Sequence, residues 1–191
     1  MKIEVISRDS MKRFFDRLHQ VYNNENEIAK AIDDCRFISI NSYSGCPYIN
    51  ELTGMGCKLT EQDLEPSPIP EQYHNQALIL HFDDACPSEV KASGIKWKLF
   101  SEDQAKSIKV FAQKAFNDKK RLIIHCTAGI SRSGAVGSTL NDYFNKFLED
   151  NESDFEWFWT CGCERQISPN PYVAKVLRKI LNINKEINDN A

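Results

Sequence analysis

The sequence predicts an α/β fold in which a mainly parallel central sheet is flanked by helices. Two patterns point there. Short apolar runs rich in Ile, Val, Leu and Phe alternate along the chain with longer stretches whose apolar residues recur at helical spacing. Strand then helix, repeated, leads to parallel pairing through helical crossovers. The length of 191 residues suits a single domain over residues 1–191.

A first apolar-alternating run closes over residues 5–8, and Met11, Phe14, Phe15 and Leu18 then mark a helix with Asp9 or Ser10 as its cap. Residues 36–40 (Arg-Phe-Ile-Ser-Ile) and 77–82 (Ala-Leu-Ile-Leu-His-Phe) are the next strands. Between them, residues 41–76 carry Pro47, Pro66, Pro68, Pro70, two glycines around Met55, and the acids Glu61, Asp63, Glu65 and Glu71. That composition predicts an irregular insertion, either a binding segment or a surface excursion.

Ser101, Glu102, Asp103 and Gln104 form a capping box ahead of Ala105, Ile108, Phe111, Ala112, Ala115 and Phe116, which predicts an amphipathic helix. Residues 121–125 (Arg-Leu-Ile-Ile-His) follow as a short buried strand. Ala135, Leu140, Tyr143, Phe144, Phe147 and Leu148 mark a further helix beginning near Arg132. After an acidic, aromatic stretch over residues 149–159, Asn170 and Pro171 open a last helix through Val173, Val176, Leu177, Ile180 and Leu181.

With 24 Lys plus Arg against 27 Asp plus Glu, the net charge is -3, so the electrostatic footprint of a general nucleic-acid binder is missing. Residues 1–9 lack the apolar stretch of a signal peptide, and no apolar run is long enough to span a bilayer. The cysteines Cys35, Cys46, Cys57, Cys86, Cys126, Cys161 and Cys163 are odd in number and lack an export signal. The expectation is a soluble cytoplasmic protein with reduced thiols and no membrane partner.

The chemistry gathers between the fourth strand and its helix, at His125-Cys126-Thr127-Ala128-Gly129-Ile130-Ser131-Arg132-Ser133-Gly134. A loop of this length wraps backbone N–H groups around a tetrahedral anion. The helix N-terminus adds partial positive charge, and Arg132 can fork onto two oxygens. The same dipoles favour a nucleophilic thiolate at Cys126. Gly129 can take the backbone angles of a tight cradle.

This string, His-Cys, five residues, then Arg-Ser, resembles the signature of the cysteine-dependent protein tyrosine and dual-specificity phosphatases. Small tyrosine phosphatases of bacteria and phages share its Ala-Gly-Ile-Ser-Arg-Ser. Residues 77–181 carry the resemblance well and the first 76 only loosely. It implies a phosphatase-like α/β sandwich with the cradle at the carboxyl end of a central strand. It also implies hydrolysis of phosphotyrosine, and in the dual-specificity case of phosphoserine or phosphothreonine, in a protein substrate through a phosphocysteine. In that scheme Cys126 is the nucleophile, and Arg132 with the loop amides of Thr127, Ala128, Gly129, Ile130 and Ser131 holds the phosphate. Ser133 assists the leaving thiolate and His125 orients the loop. No metal or organic cofactor is required.

The family's general acid follows the strand before the long helix, which here ends His81-Phe82-Asp83-Asp84. Adjacent residues point to opposite faces, so one carboxylate reaches the pocket. Asp84 is the expected acid, and Asp83 a cap or surface charge. Asp103 is the weaker alternative, better suited to the helix N-terminus. Cys86 could serve as a resolving thiol for Cys126. Cys161-Gly162-Cys163 has too few ligands for a zinc site, and Trp157, Phe158 and Trp159 read as core aromatics.

The variable cradle residues include no Lys or second Arg, which disfavours an inositol lipid. An RNA 5'-triphosphatase of the same superfamily is the enzymatic alternative, against which the paired aspartates and overall acidity weigh. A non-catalytic phosphate-binding module and a sulfurtransferase are the remaining readings. Retention of both Cys126 and Arg132 weighs against the module, and the paired aspartates are unneeded in a sulfurtransferase.

Overall fold

The computed structural model describes residues 1–42, 65–93, 97–148, 155–157 and 167–183. Its centre is an all-parallel sheet of five strands in the order β3-β2-β4-β1-β5, comprising β1 (Ile3–Ser7), β2 (Cys35–Asn41), β3 (Ala77–His81), β4 (Arg121–Cys126) and the short edge strand β5 (Phe155–Trp157). The predicted class is the one observed, with every pairing parallel.

Helices cover both faces. α1 (Arg8–Val21) and α2 (Glu25–Asp33) pack Met11, Phe15, Ile28 and Ile32 against Ile6, Phe37 and Ile123. On the opposite face α4 (Glu102–Asn117), α5 (Arg132–Asn141) and α6 (Pro171–Leu181) pack against Ile38, Ile40, Leu122 and Ile124. Alternation along β4 sends Leu122 and Ile124 to one layer and Ile123 to the other. Each such fully buried Ile or Leu contributes about 1.5–3 kcal/mol. α3 (Pro87–Ser93) is a short helix beyond β3.

Local chemistry explains the helix starts. The cap of α1 is Ser7, upstream of the expected Asp9 or Ser10, because its Oγ accepts from the Ser10 N–H at 3.2 Å. A serine hydroxyl in that place satisfies one of the orphan donors of the first turn. Strand β1 therefore ends at Ser7, and Arg8 already belongs to the helix. Asn24 caps α2 through the Glu27 N–H. The expected box at α4 forms in full, with Ser101 and Gln104 exchanging side-chain and backbone bonds. The expected helix from Arg132 to Leu148 divides: α5 stops at Asn141 and a π-helical stretch runs over Asp142–Leu148. Its wider turns rotate the last residues off the apolar stripe. Phe147 and Leu148 are left 72% and 45% exposed.

The insertion at 41–76 ends in a 3-10 helix (Glu71–Gln76) that seats Tyr73 on Phe15, ring centroids 5.6 Å apart. Residues 43–64, with Cys46 and Cys57, lie outside the described residues. So do Phe158, Trp159, Cys161 and Cys163, and of Trp157 only the backbone in β5 is described. Among the described residues no helix is long and apolar enough to cross a membrane.

Candidate functional site

Cys126 ends β4, a strand held on both sides: Ser7 of β1 pairs with Cys126, and Ser39 of β2 with His125. The chain turns through residues 127–131 and enters α5 at Arg132. The turn is tied to the end of β1 where the Arg8 N–H donates to the Thr127 carbonyl at 3.2 Å. Gly129 makes the approach possible, because only a residue without Cβ adopts its conformation at no steric cost. Its φ is +73°, and a Cβ there would lie 2.6 Å from the Ile6 carbonyl carbon and the Ser7 amide nitrogen.

This geometry leaves donors without acceptors. The N–H groups of residues 128–131 bond to no other described residue. Ser131 occupies the cap position of α5 yet gives no side-chain bond to the helix, and the first turn carries no acid. No acid within the helix's own first turn offsets the positive end of α5 at the cradle.

Arg132 is 4% exposed. Its Nη1 donates to the Phe82 carbonyl and to Ser42 Oγ, each at 2.8 Å, and its Nη2 donates to Thr127 Oγ1 at 3.0 Å. Nε is buried with no partner among the described residues. Of the five guanidinium N–H bonds, Nε–H and one Nη2–H remain for a ligand. An unsatisfied buried donor costs about 1–3 kcal/mol, and more on a charged group, a cost which an oxyanion would relieve.

The Cys126 sulfur, buried at the end of the strand, lies 3.0 Å from Ser133 Oγ in the first turn of α5. His125 is wholly buried beneath the loop, its Nε2 2.7 Å from Ser39 Oγ, which also accepts from Asn41 Nδ2 at 3.0 Å. Burial drives the His125 pKa down to about 3, opposed by the Cys126 backbone and reinforced by the charges of Arg8 and Arg132. The ring is neutral at ordinary pH and serves as a fixed hydrogen-bonding strut.

The two aspartates after β3 part company. Asp84 is exposed and reaches the cradle, where its Oδ1 accepts from Ser131 Oγ and from Asn170 Nδ2, each at 2.8 Å. Asp83 is neither a cap nor a surface charge, as the sequence had suggested. It is 7% exposed, and its Oδ2 accepts from the Lys98 N–H at 2.8 Å while its own N–H donates to the Lys98 carbonyl at 2.7 Å. It closes the loop around α3. Asp103 sits in the first turn of α4, 90% exposed and paired with Lys106 at 2.9 Å. Cys86 is a free thiol whose sulfur lies 2.9 Å from Ser88 Oγ.

Asn170 and Ser42 are among the residues of this site that escaped sequence reasoning. Asn170 was legible only as a helix cap, which it is: its Oδ1 accepts from the Tyr172 and Val173 N–H groups. Its Nδ2 also holds Asp84, and its N–H donates to the Ser131 carbonyl at 3.2 Å. Ser42, just past β2, anchors Arg132 and carries no local signal.

A cavity of about 550 Å³ lies elsewhere, between α1 and the sheet, lined by Glu4, Phe14, Arg17, Leu18 and Arg121 among others, and shares no residue with the cradle. Among the described residues no group of three His, Cys, Asp or Glu is arranged to hold a metal ion. Comparison of the chain with protein-family models, with curated proteins and with solved structures finds no match.

Proposed function

We propose that this chain is a cysteine-dependent phosphomonoesterase acting on phosphotyrosine in proteins, with dual specificity as its extension to phosphoserine and phosphothreonine. The observation that carries this reading is the pair of donors on buried Arg132 left unused among the described residues, in a loop whose amides at 128–131 likewise bond to no other described residue. Such a cradle suits a tetrahedral oxyanion.

The mechanism follows from the positions of the groups. Cys126 Sγ attacks phosphorus, forming the S–P bond as the P–O bond to the substrate breaks, and the leaving oxygen takes a proton from Asp84. The equatorial oxygens are held by Arg132 and the loop amides. Water then attacks the phosphocysteine and gives its proton to Asp84, and the S–P bond breaks. Phosphate is released, and the Ser133 hydroxyl donates to the departing thiolate. His125 stays neutral throughout and orients the loop. The free thiols Cys35, Cys86 and Cys126 suit a cytoplasmic setting.

The test is phosphate release from a phosphotyrosine peptide, a phosphoserine peptide and a 5'-triphosphate RNA, using the intact chain and the Cys126→Ser and Asp84→Ala variants. Peptide turnover abolished in the first variant and reduced in the second is the expected result. Turnover of the RNA alone, indifferent to Asp84, would instead mark a triphosphatase.

A further inference from the structure

Ser42 and Glu65 are bonded to each other twice. The Glu65 N–H donates to the Ser42 carbonyl at 3.1 Å, and the Ser42 N–H donates back to Glu65 Oε2 at 3.2 Å. The other carboxylate oxygen, Oε1, pairs with Arg8 Nη1 at 3.2 Å. Arg8 also donates to Asn41 Oδ1 at 3.0 Å and to the Pro66 carbonyl. Its own N–H holds the Thr127 carbonyl of the cradle. The Arg8 and Glu65 side chains are only 13% and 25% exposed. Solvent therefore screens this pair less than it would a surface pair.

What this brace presents to the site is one hydroxyl, Ser42 Oγ, which accepts from Arg132 Nη1. With the Phe82 carbonyl it occupies both hydrogens of Nη1. An arginine side chain has many rotamers, and a guanidinium anchored along one edge has its opposite donors fixed in direction. We propose that Ser42 and Glu65, braced by Arg8, form a positioning clamp that orients Arg132 so that Nε and Nη2 meet the bound oxyanion. Ser42 is a positioning residue: it acts through Arg132 and not on the substrate. The proposal rests on the phosphate-cradle reading above and adds to it a task for Ser42 and Glu65, two described residues of the 41–76 insertion.

The experiment compares alkylation of Cys126 by iodoacetate, an anion that Arg132 must guide, with alkylation by neutral iodoacetamide, followed by mass spectrometry of the Cys126 peptide. The chains are the intact protein, Ser42→Ala, Ser42→Thr and Glu65→Gln. Ser42→Ala should lower the iodoacetate-to-iodoacetamide rate ratio roughly tenfold, the effect of one charge-assisted hydrogen bond. Ser42→Thr, which keeps a hydroxyl, should recover most of it, with Glu65→Gln in between. The KM for a phosphotyrosine peptide should rise in the same order.

A ratio unchanged in Ser42→Ala overturns the clamp. So does a Ser42→Thr variant no better than Ser42→Ala, or an equal loss of both alkylation rates, which would place the effect on the thiol. Failure of the phosphatase reading shows separately, as an intact chain that prefers iodoacetate yet releases no phosphate; the ratio then still judges the clamp.

Discussion

The hydroxyl of Ser131 donates to Asp84 Oδ1 at 2.8 Å, joining the loop that follows the candidate nucleophile to the loop that carries the candidate acid. Asn170 closes the triangle, holding the Ser131 carbonyl with its N–H and Asp84 with its side chain. Three segments distant in sequence are thereby set at fixed separation, as a reaction needing in-line attack and protonation requires.

Asn170 has two separable tasks, capping α6 and holding Asp84. Asn170→Ser keeps a capping oxygen but is too short to reach the carboxylate, so melting should stay near that of the intact chain while kcat falls severalfold. Asn170→Ala loses both, and should cost about 1 kcal/mol of stability as well. Thermal melts beside peptide kinetics check this. Equal melting temperatures for the two variants would contradict it.

Gly129 is the position least able to accept a side chain. Gly129→Ala places a methyl against the backbone of Ile6 and Ser7 at a positive φ. An L-residue in that conformation costs about 1–2 kcal/mol before any clash. Denaturant unfolding should shift by at least that amount. Protection of the native state by added inorganic phosphate should weaken too, because the loop must move away from β1.

Asp83 and Asp84 give opposite signatures. Asp83→Ala strands the Lys98 N–H that its carboxylate now accepts from. The loss should lower stability by about 1–3 kcal/mol. Asp84→Ala removes an exposed group and should leave stability close to unchanged. Its turnover, however, should depend more steeply on the leaving group, falling most for substrates with poor leaving oxygens. Aryl phosphates of graded acidity provide the measurement, and an unaltered slope would count against Asp84 as the acid.

The histidine beneath the loop makes stability depend on pH with a defined sign. The folded value, about 3, lies below the ordinary 6.5. Between these limits the unfolded chain binds a proton that the folded chain refuses, so His125 weakens the fold as pH drops from about 6.5 toward 3. The slope is up to about 1.4 kcal/mol per pH unit, and at higher pH this residue adds no dependence. His125→Gln should lose less stability than the intact chain between pH 7 and 5, measured by denaturant unfolding at both values.

The sheet and the cradle were legible because their signals are local. Apolar runs mark β2, β3 and β4, the Ser101 and Gln104 box marks α4, and Cys126 through Ser133 are contiguous. α2 went unread although Asn24, Ile28 and Ile32 carry its cap and spacing. A short helix with little apolar content gives a weak periodicity. β5 is shorter still and recognisable only by its pairing with β1. The exposure of Phe147 reflects the widened turns after Asn141. Asp84 was legible from its place after a strand. The burial of Asp83 depends on Lys98, and the anchoring of Arg132 depends on Ser42, a contact that exists only once the chain has folded.

The parallel pairing of β1 with β4 has a consequence for the order in which the protein can be built. Ile3 finds its partner at Leu122 and Ser7 finds its partner at Cys126, so β1 waits for a long stretch of chain to follow before it can pair with β4. Such distant pairings close slowly, and exposed strand edges persist meanwhile. Asn170, which braces Ser131 and Asp84, is later still. A ribosome-bound chain that has already exposed Cys126 therefore carries a thiol before it carries an assembled site, and acquires the complete arrangement only once Asn170 has emerged too.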